Sequence, residues 1–357
     1  MNNIARIQSK LREQGLDALL IFDEKNQRFA AGFPFTDGAV VVGREKAWLL
    51  TDSRYIEAAE KAAGDCATVQ MFDQQHPLMQ RIQAALSECS AEKLGAEEES
   101  LSHGRWAGLE KQLGKALMPA QSILRSLRAS KTDEEIRSMI EAQRISERAL
   151  EEVLHIIRPG MTEREVMAEL VYHMLKNGSE GNSFDPIVVT GTNTSMPHGV
   201  PGDTVIREGD FLTMDFGSLK NGYCSDMTRT VAVGSATEEM KNIYDIVLRA
   251  QLAGIAAARS GIPGKVIDAA ARQVICDAGY GPYFGHGFGH SLGLDIHEPP
   301  FAGPRGEALM EENDLCSAEP GIYLPGKFGV RIEDVMIIRS TGAEVITKAP
   351  KMELIVL

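Results

Sequence analysis

The segment 211–231 constrains the fold more tightly than any other, because two apolar runs flank Lys220, Asn221, Gly222 and Tyr223. Asn-Gly between such runs supplies the positive φ angles of a two-residue hairpin turn. With Asn221 and Gly222 as the loop, Asp215 faces Thr228 and Gly217 faces Asp226. Asp215 and Asp226 then share one face as diagonal neighbours, roughly 7–8 Å apart at Cβ or somewhat closer. Leu212, Met214 and Phe216 turn to the other face, toward a core. A bulge would undo this, since a one-residue slip turns one carboxylate over.

Two carboxylates on one face of an apolar hairpin repel each other, and burial raises the cost of leaving either ionised. An Arg or Lys partner would offset the charge, and Arg229 is close by, so these two residues alone leave a structural and a functional reading open. Further acids follow. Glu319 precedes Pro320 and Gly321, which fix a turn, and Glu333 sits inside the strand-like run 330–338. A Glu among Val, Ile and Met on a buried strand does not suit a solvated face. Two Asp and two Glu carry four negative charges, which two divalent cations would neutralise. His290 lies in the glycine-rich segment 285–294, and His198, His286 and His297 fall in the same part of the chain. Four carboxylates with one imidazole form a hard, mostly oxygen ligand set, favouring manganese, cobalt or zinc in a two-metal site over a thiolate zinc site.

A length of 357 residues suggests two domains at about 150 residues each. The formal net charge of −13 repels phosphate backbones and anionic lipid, and no Lys/Arg run exceeds two residues, so neither nucleic acid nor a membrane is expected as partner. The five cysteines are scattered without a CxxC pair, which fits a reducing cytoplasm. Ile4, Ile7 and Leu11 at helical spacing among basic residues read as an amphipathic helix and not a signal peptide.

Residues 1–125 alternate helical and strand patterns: a helix from Ile4, strands at 18–22, 38–42 and 47–51, a helix from Arg54 and another at 78–87. This predicts a small mixed α/β domain. A boundary is expected at 122–131, where a short basic segment (Arg125, Arg128, Lys131) leads into Thr132 with Glu135 three residues on, a capping box. A second domain, 126–357, contains a faint repeat: an offset of 101 residues relates Gly160 to Gly261, Val166 to Ile267 and Gly178 to Gly279. Glycine is common after helices, so coincidence would give the same spacing. A real repeat predicts two helix-helix-strand halves with a site between them.

The segments Met214-Asp-Phe-Gly217, Ser225-Asp-Met-Thr-Arg-Thr230, Gly287-Phe-Gly-His290 with His297-Glu298, Glu319-Pro-Gly321 and Arg331-Ile-Glu333 resemble, in order, the motif series of the pita-bread metallopeptidases (M24). That family includes methionine aminopeptidase, Xaa-Pro aminopeptidase and Xaa-Pro dipeptidase. Thr51-Asp-Ser-Arg-Tyr55 resembles part of the creatinase/prolidase-type N-terminal domain, which methionine aminopeptidases lack. The resemblance therefore implies an α+β protein: a C-terminal pita-bread domain with pseudo-twofold halves, preceded by a smaller creatinase-type domain. It implies a two-metal exopeptidase acting on an N-terminal Xaa-Pro bond, as aminopeptidase or dipeptidase, through a metal-bridging hydroxide.

By the same resemblance Asp215, Asp226, His290, Glu319 and Glu333 would hold the metals, with Asp226 and Glu333 bridging. Glu319 would also act as general base, and His198 and His297 would hold the substrate carbonyl and its oxyanion. Thr228 looks like a partner orienting a carboxylate, with Tyr323 and Arg331 in similar supporting places or purely structural ones. Many prolidases carry an Arg four positions after the histidine of the His-Glu motif, where this chain has Phe301. That departure weakens the case for a strict dipeptidase unless Arg305 or an arginine of the N-terminal domain substitutes. Metal-free creatinase-like amidinohydrolases and non-catalytic binding proteins share the fold, but retention of all five ligand positions argues against both. The family also tends to form homodimers.

Overall fold

The computed structural model describes residues 3–357, and the chain separates into two compact units, Met1–Arg128 and Ala129–Leu357. The first unit runs α1 (Ile4–Gln14), β1 (Ala18–Ile21), α2 (Glu24–Ala31), β2 (Gly38–Gly43), β3 (Ala47–Thr51), α3 (Ile56–Ala63), β4 (Thr68–Met71), α4 (Leu78–Glu88), β5 (Leu94–Ala96), α5 (His103–Leu113), β6 (Leu117–Pro119) and α6 (Gln121–Ala129). Its strands form one mixed sheet in the order β4-β3-β2-β1-β5-β6. The continuous apolar runs of β1, β2 and β3 are buried along their whole length, as befits strands covered on both faces. Trp48, Leu20, Val41 and Leu50 pack there with Ile82 and Leu86 of α4.

One local departure from the sequence reading has a simple cause. Helix α3 starts at Ile56 and not at Arg54, because Asp52 Oδ1 accepts the Arg54 N–H at 2.9 Å and holds those residues in a turn. The units divide at 128/129, inside the segment 122–131, where Arg125 and Arg128 ride on α6, whose Ile123, Leu124 and Leu127 are buried.

The second unit opens with α7 (Asp133–Leu154), started by a complete capping box between Thr132 and Glu135. There follow α8 (Glu163–Lys176), β7 (Ile187–Thr190), β8 (Phe211–Phe216), β9 (Leu219–Lys220), β10 (Tyr223–Cys224), β11 (Met227–Ala232), α9 (Glu238–Ala257) and α10 (Gly264–Asp277). The chain then builds β12 (Gly289–Ser291), β13 (Glu298–Ala302), β14 (Leu315–Ala318), β15 (Gly321–Leu324), β16 (Phe328–Arg331), β17 (Asp334–Arg339) and β18 (Gly342–Val345). The repeat is visible in these bounds. Helices α8 and α10 are each 14 residues long, entered after left-handed Gly160 (φ 96°) and Gly261 (φ 81°) and left through Gly178 (φ 98°) and Gly279 (φ 86°). Each half has its own apolar cluster. Val166, Leu170, Met214 and Phe216 meet in the first, and Val247, Ile267, Ala271 and Met336 in the second. Among the described residues no helix is long and apolar enough to cross a membrane.

The hairpin keeps the register that its turn dictates, with Asp215 opposite Thr228 and Tyr223 opposite Lys220. Asn221 (φ 51°) and Gly222 (φ 76°) supply the left-handed turn. The ladder is interrupted between β8 and β9, where a Cβ on Gly217 would lie 1.9 Å from Ser225 O. The run 330–338 is likewise two strands and not one. Strand β16 pairs with β15 and β17 with β14, so Ile332 and Glu333 lie where the chain passes from one sheet to the other.

Candidate metal centre

A cavity of about 790 Å³ in the second unit is lined by Asp215, Asp226, His290, Glu319 and Glu333 together. Each comes from a different structural cause. Asp215 lies near the end of β8 on the face away from the apolar cluster, because β alternation gives the other face to Met214 and Phe216. Asp226 occupies the step between β10 and β11. His290 is the middle residue of β12, at a register shift toward β13. Glu319 stands in the turn between β14 and β15, its N–H bonded to Phe288 O at 2.8 Å. Glu333 sits at the change of sheets, its N–H donating to Thr228 O at 3.2 Å.

Ligand atoms of Asp226, His290 and Glu333 lie within 4.8 Å of one another. His290 Nε2 is 3.2 Å from Glu319 Oε1 and 3.6 Å from Asp226 Oδ2. Its Nδ1 lies 3.2 Å from Ser291 O, so a proton on Nδ1 leaves Nε2 facing the carboxylates. The nearest cation is not Arg229. That residue faces Met214 across the ladder, and its guanidinium bonds Asp334 Oδ1 at 2.8 Å and the carbonyls of Glu333, Ala349 and Pro350. Arg331 is the partner instead, donating to Asp215 Oδ2 at 2.6 Å, Thr228 Oγ1 at 3.1 Å and the Tyr323 hydroxyl at 2.9 Å. Thr228 Oγ1 in turn donates to Glu333 Oε2 at 2.7 Å.

One guanidinium does not balance four carboxylates. Burial, reinforced by the neighbouring acids, pushes Asp226 and Glu333 well above the usual carboxylate range, and burial also raises Asp215. Burial acts to raise Glu319 as well and to lower His290, but their contact outweighs it, drawing Glu319 down and His290 up. Asp215 Oδ1 and Glu333 Oε1 are buried and accept no hydrogen bond among the described residues. Orphaned carboxylate oxygens facing a shared cavity, with an imidazole among them, suit hard divalent cations.

His198 and His297 line the same cavity and are both exposed, with the His297 ring edge-on to His290 at a centroid distance of 4.3 Å. Loss of water on its cavity-facing side, together with the nearby His290, holds His297 below the ordinary histidine range. Phe301 lies on β13 directly across from His290 and forms part of the wall, 48% exposed. Thr228, Tyr323 and Arg331 form a chain behind the carboxylates. His286 joins that chain, with Nε2 2.9 Å from the Tyr323 hydroxyl, and lines the cavity, a placement sequence reasoning did not assign. No local signal marked it, because its partner Tyr323 lies 37 residues away. Arg305, named from the sequence as a possible substitute for the missing arginine at position 301, also lies on the wall.

The model of "Metallopeptidase family M24" matches residues 137–340 and that of "Creatinase/Prolidase N-terminal domain" matches residues 3–130. A curated relative, the Xaa-Pro dipeptidase of Pyrococcus horikoshii, is 34% identical over 98% of this chain and 97% of its own. Among solved structures, an Xaa-Pro dipeptidase from Bacillus anthracis is 41% identical, with a TM-score of 0.94 and 99% of each chain covered. An X-Pro aminopeptidase from Thermotoga maritima is 33% identical, with a TM-score of 0.93, covering 98% of this chain and 100% of that one.

Proposed function

The chain belongs to metallopeptidase family M24, and on that footing we propose that it is a metal-dependent exopeptidase that hydrolyses the Xaa-Pro bond at a peptide N-terminus. The observation that carries this is the convergence of three deeply buried carboxylates, Asp215, Asp226 and Glu333, with His290 and Glu319 on one cavity, with two carboxylate oxygens left unsatisfied. Asp215, Asp226, His290, Glu319 and Glu333 would hold two divalent ions, manganese, cobalt or zinc. Bound cations of this kind supply Lewis-acid charge that acidifies water and polarises a carbonyl.

The chain's own groups do the rest. Glu319 accepts a proton at its carboxylate from the water that adds to the carbonyl carbon and delivers it to the proline nitrogen as the C–N bond breaks, so that nitrogen leaves as a secondary amine. His198 and His297 donate hydrogen bonds to the substrate carbonyl oxygen, where negative charge develops as the carbonyl carbon becomes tetrahedral. Arg331 and Thr228 hold Asp215 and Glu333 in place by the bonds described above, and Tyr323 with His286 brace Arg331 from the far side. A proline amide has no N–H and a fixed φ, so recognition of that residue must be by shape, and the ring of Phe301 with Pro299 and Pro300 offers an apolar wall for it.

The metal-free amidinohydrolase and binding-protein alternatives gain nothing from this site, since no ligand position is lost. The family resemblance extends the proposal to a homodimer, and the scattered cysteines support the cytoplasm as its compartment. The test is substitution of two of the site's carboxylates, both in the tight cluster with His290. Asp226→Ala and Glu333→Ala should each lower hydrolysis of an Xaa-Pro dipeptide by at least about a hundredfold while leaving the far-UV spectrum unchanged. Undiminished hydrolysis in either variant would show the mechanism to be wrong.

A further inference from the structure

Glu163, the first residue of α8, is a buried carboxylate outside the metal centre, only 1% exposed. A negative charge suits the positive end of a helix. Helix α8 nevertheless takes its cap from Thr162, whose Oγ1 accepts the Glu165 N–H at 3.2 Å. The Glu163 oxygens turn instead to the loop that follows β7. Oε1 accepts the Thr190 N–H at 2.8 Å and a bond from Asn193 Nδ2 at 2.9 Å, and Oε2 accepts the Gly202 N–H at 2.9 Å. One carboxylate therefore closes the segment 190–202 at both ends.

His198 stands between those ends. The Gly199 N–H donates to Met196 O at 3.0 Å, which makes a β-turn with Pro197 second and His198 third. Pro197 and His198 line the cavity. The back of the turn lies tight against β7, where a Cβ on Gly199 would come 2.7 Å from Val189 Cγ1. On the cavity side Arg331 Nη1 reaches Pro197 O at 3.3 Å, at the long end of a hydrogen bond. The His198 ring is exposed and makes no hydrogen bond among the described residues, so its place is set by the backbone beneath it. We propose that Glu163 is a positioning residue for the reaction, fixing both ends of this loop so that His198 meets the substrate carbonyl oxygen. This rests on the Xaa-Pro peptidase reading above and on the part it gives His198. Glutamine at 163 keeps the shape but replaces one acceptor oxygen with an N–H donor, so one end of the loop would set donor against donor.

The test is a double-mutant cycle on the manganese-loaded full chain with an Xaa-Pro peptide, comparing wild type, Glu163→Gln, His198→Ala and the pair. Glu163→Gln should lower kcat about tenfold to a hundredfold with KM little changed. In the His198→Ala background the same substitution should cost less than about twofold, because the ring it positions is gone. Manganese affinity in calorimetry should not change, since no proposed ligand is touched. Asn193→Ala removes one donor from Oε1 and should give a milder form of the same pattern, which decides the matter if Glu163→Gln does not fold. Equal losses in both backgrounds, no loss in either, or a loss that follows weakened manganese binding overturn the assignment of Glu163 and leave the peptidase reading intact. If His198→Ala leaves kcat unchanged, the part given to His198 falls and this assignment with it. A wild-type chain that cleaves no Xaa-Pro peptide overturns the peptidase reading as well.

Discussion

Arg229 and Arg331 illustrate how a single residue's place is decided. Arg229 follows Thr228 in sequence, and proximity alone makes it a candidate partner for Asp215 and Asp226. Strand alternation sends it to the opposite face, toward Asp334 and the carbonyls of the C-terminal segment. The register that places Thr228 opposite Asp215 already contained that information, since Arg229 must then face Met214. The role of Arg331 was less legible, because it reaches Asp215 from a different sheet and nothing local ties the two positions together. Thr228 is the joint of this arrangement, receiving from Arg331 and donating to Glu333. Thr228→Val keeps the shape and removes the hydroxyl, leaving Glu333 without a donor at Oε2. It should weaken manganese binding about tenfold to a hundredfold in calorimetry, with the far-UV spectrum unchanged.

Elements defined by local chemistry were readable from the sequence, and those defined by distant partners were not. The Asn221-Gly222 turn set the hairpin register because turn handedness and strand twist must agree. The capping box at Thr132 started α7 because both of its bonds are three residues apart. The split of 330–338 into β16 and β17 had no such signal. Its cause is that one end pairs with β15 and the other with β14, a choice made by tertiary partners. The same applies to β4 through β6, whose short runs become strands by pairing in parallel with distant neighbours. Since the turn fixes the register, it also fixes which face Asp215 and Asp226 occupy. Gly222→Val forces a branched side chain into φ 76° and should cost about 1–2 kcal/mol of stability in denaturant unfolding. If stability is unchanged, the hairpin does not depend on that turn.

Across the whole molecule, the sequence carried its architecture through repetition and its chemistry through misplaced charge. The recurrence at 101 residues reappears as two 14-residue helices entered and left through left-handed glycines, each serving its own apolar cluster. The order of strands within each sheet could not be read the same way, since it depends on which non-local pairings close. The formal charge of −13 is a surface property for the most part, but Asp215, Asp226, Glu319 and Glu333 belong to a different category. Buried acids of one sign, answered by a single guanidinium and one imidazole, make a site whose charge is completed by cations. The most direct measurement is therefore a titration of chelator-stripped protein with manganese, cobalt or zinc, following bound metal and Xaa-Pro hydrolysis in the same samples. Hydrolysis should be absent in the stripped chain and return as binding approaches about two ions per chain. Full hydrolysis by protein shown to hold no divalent metal would contradict the central claim.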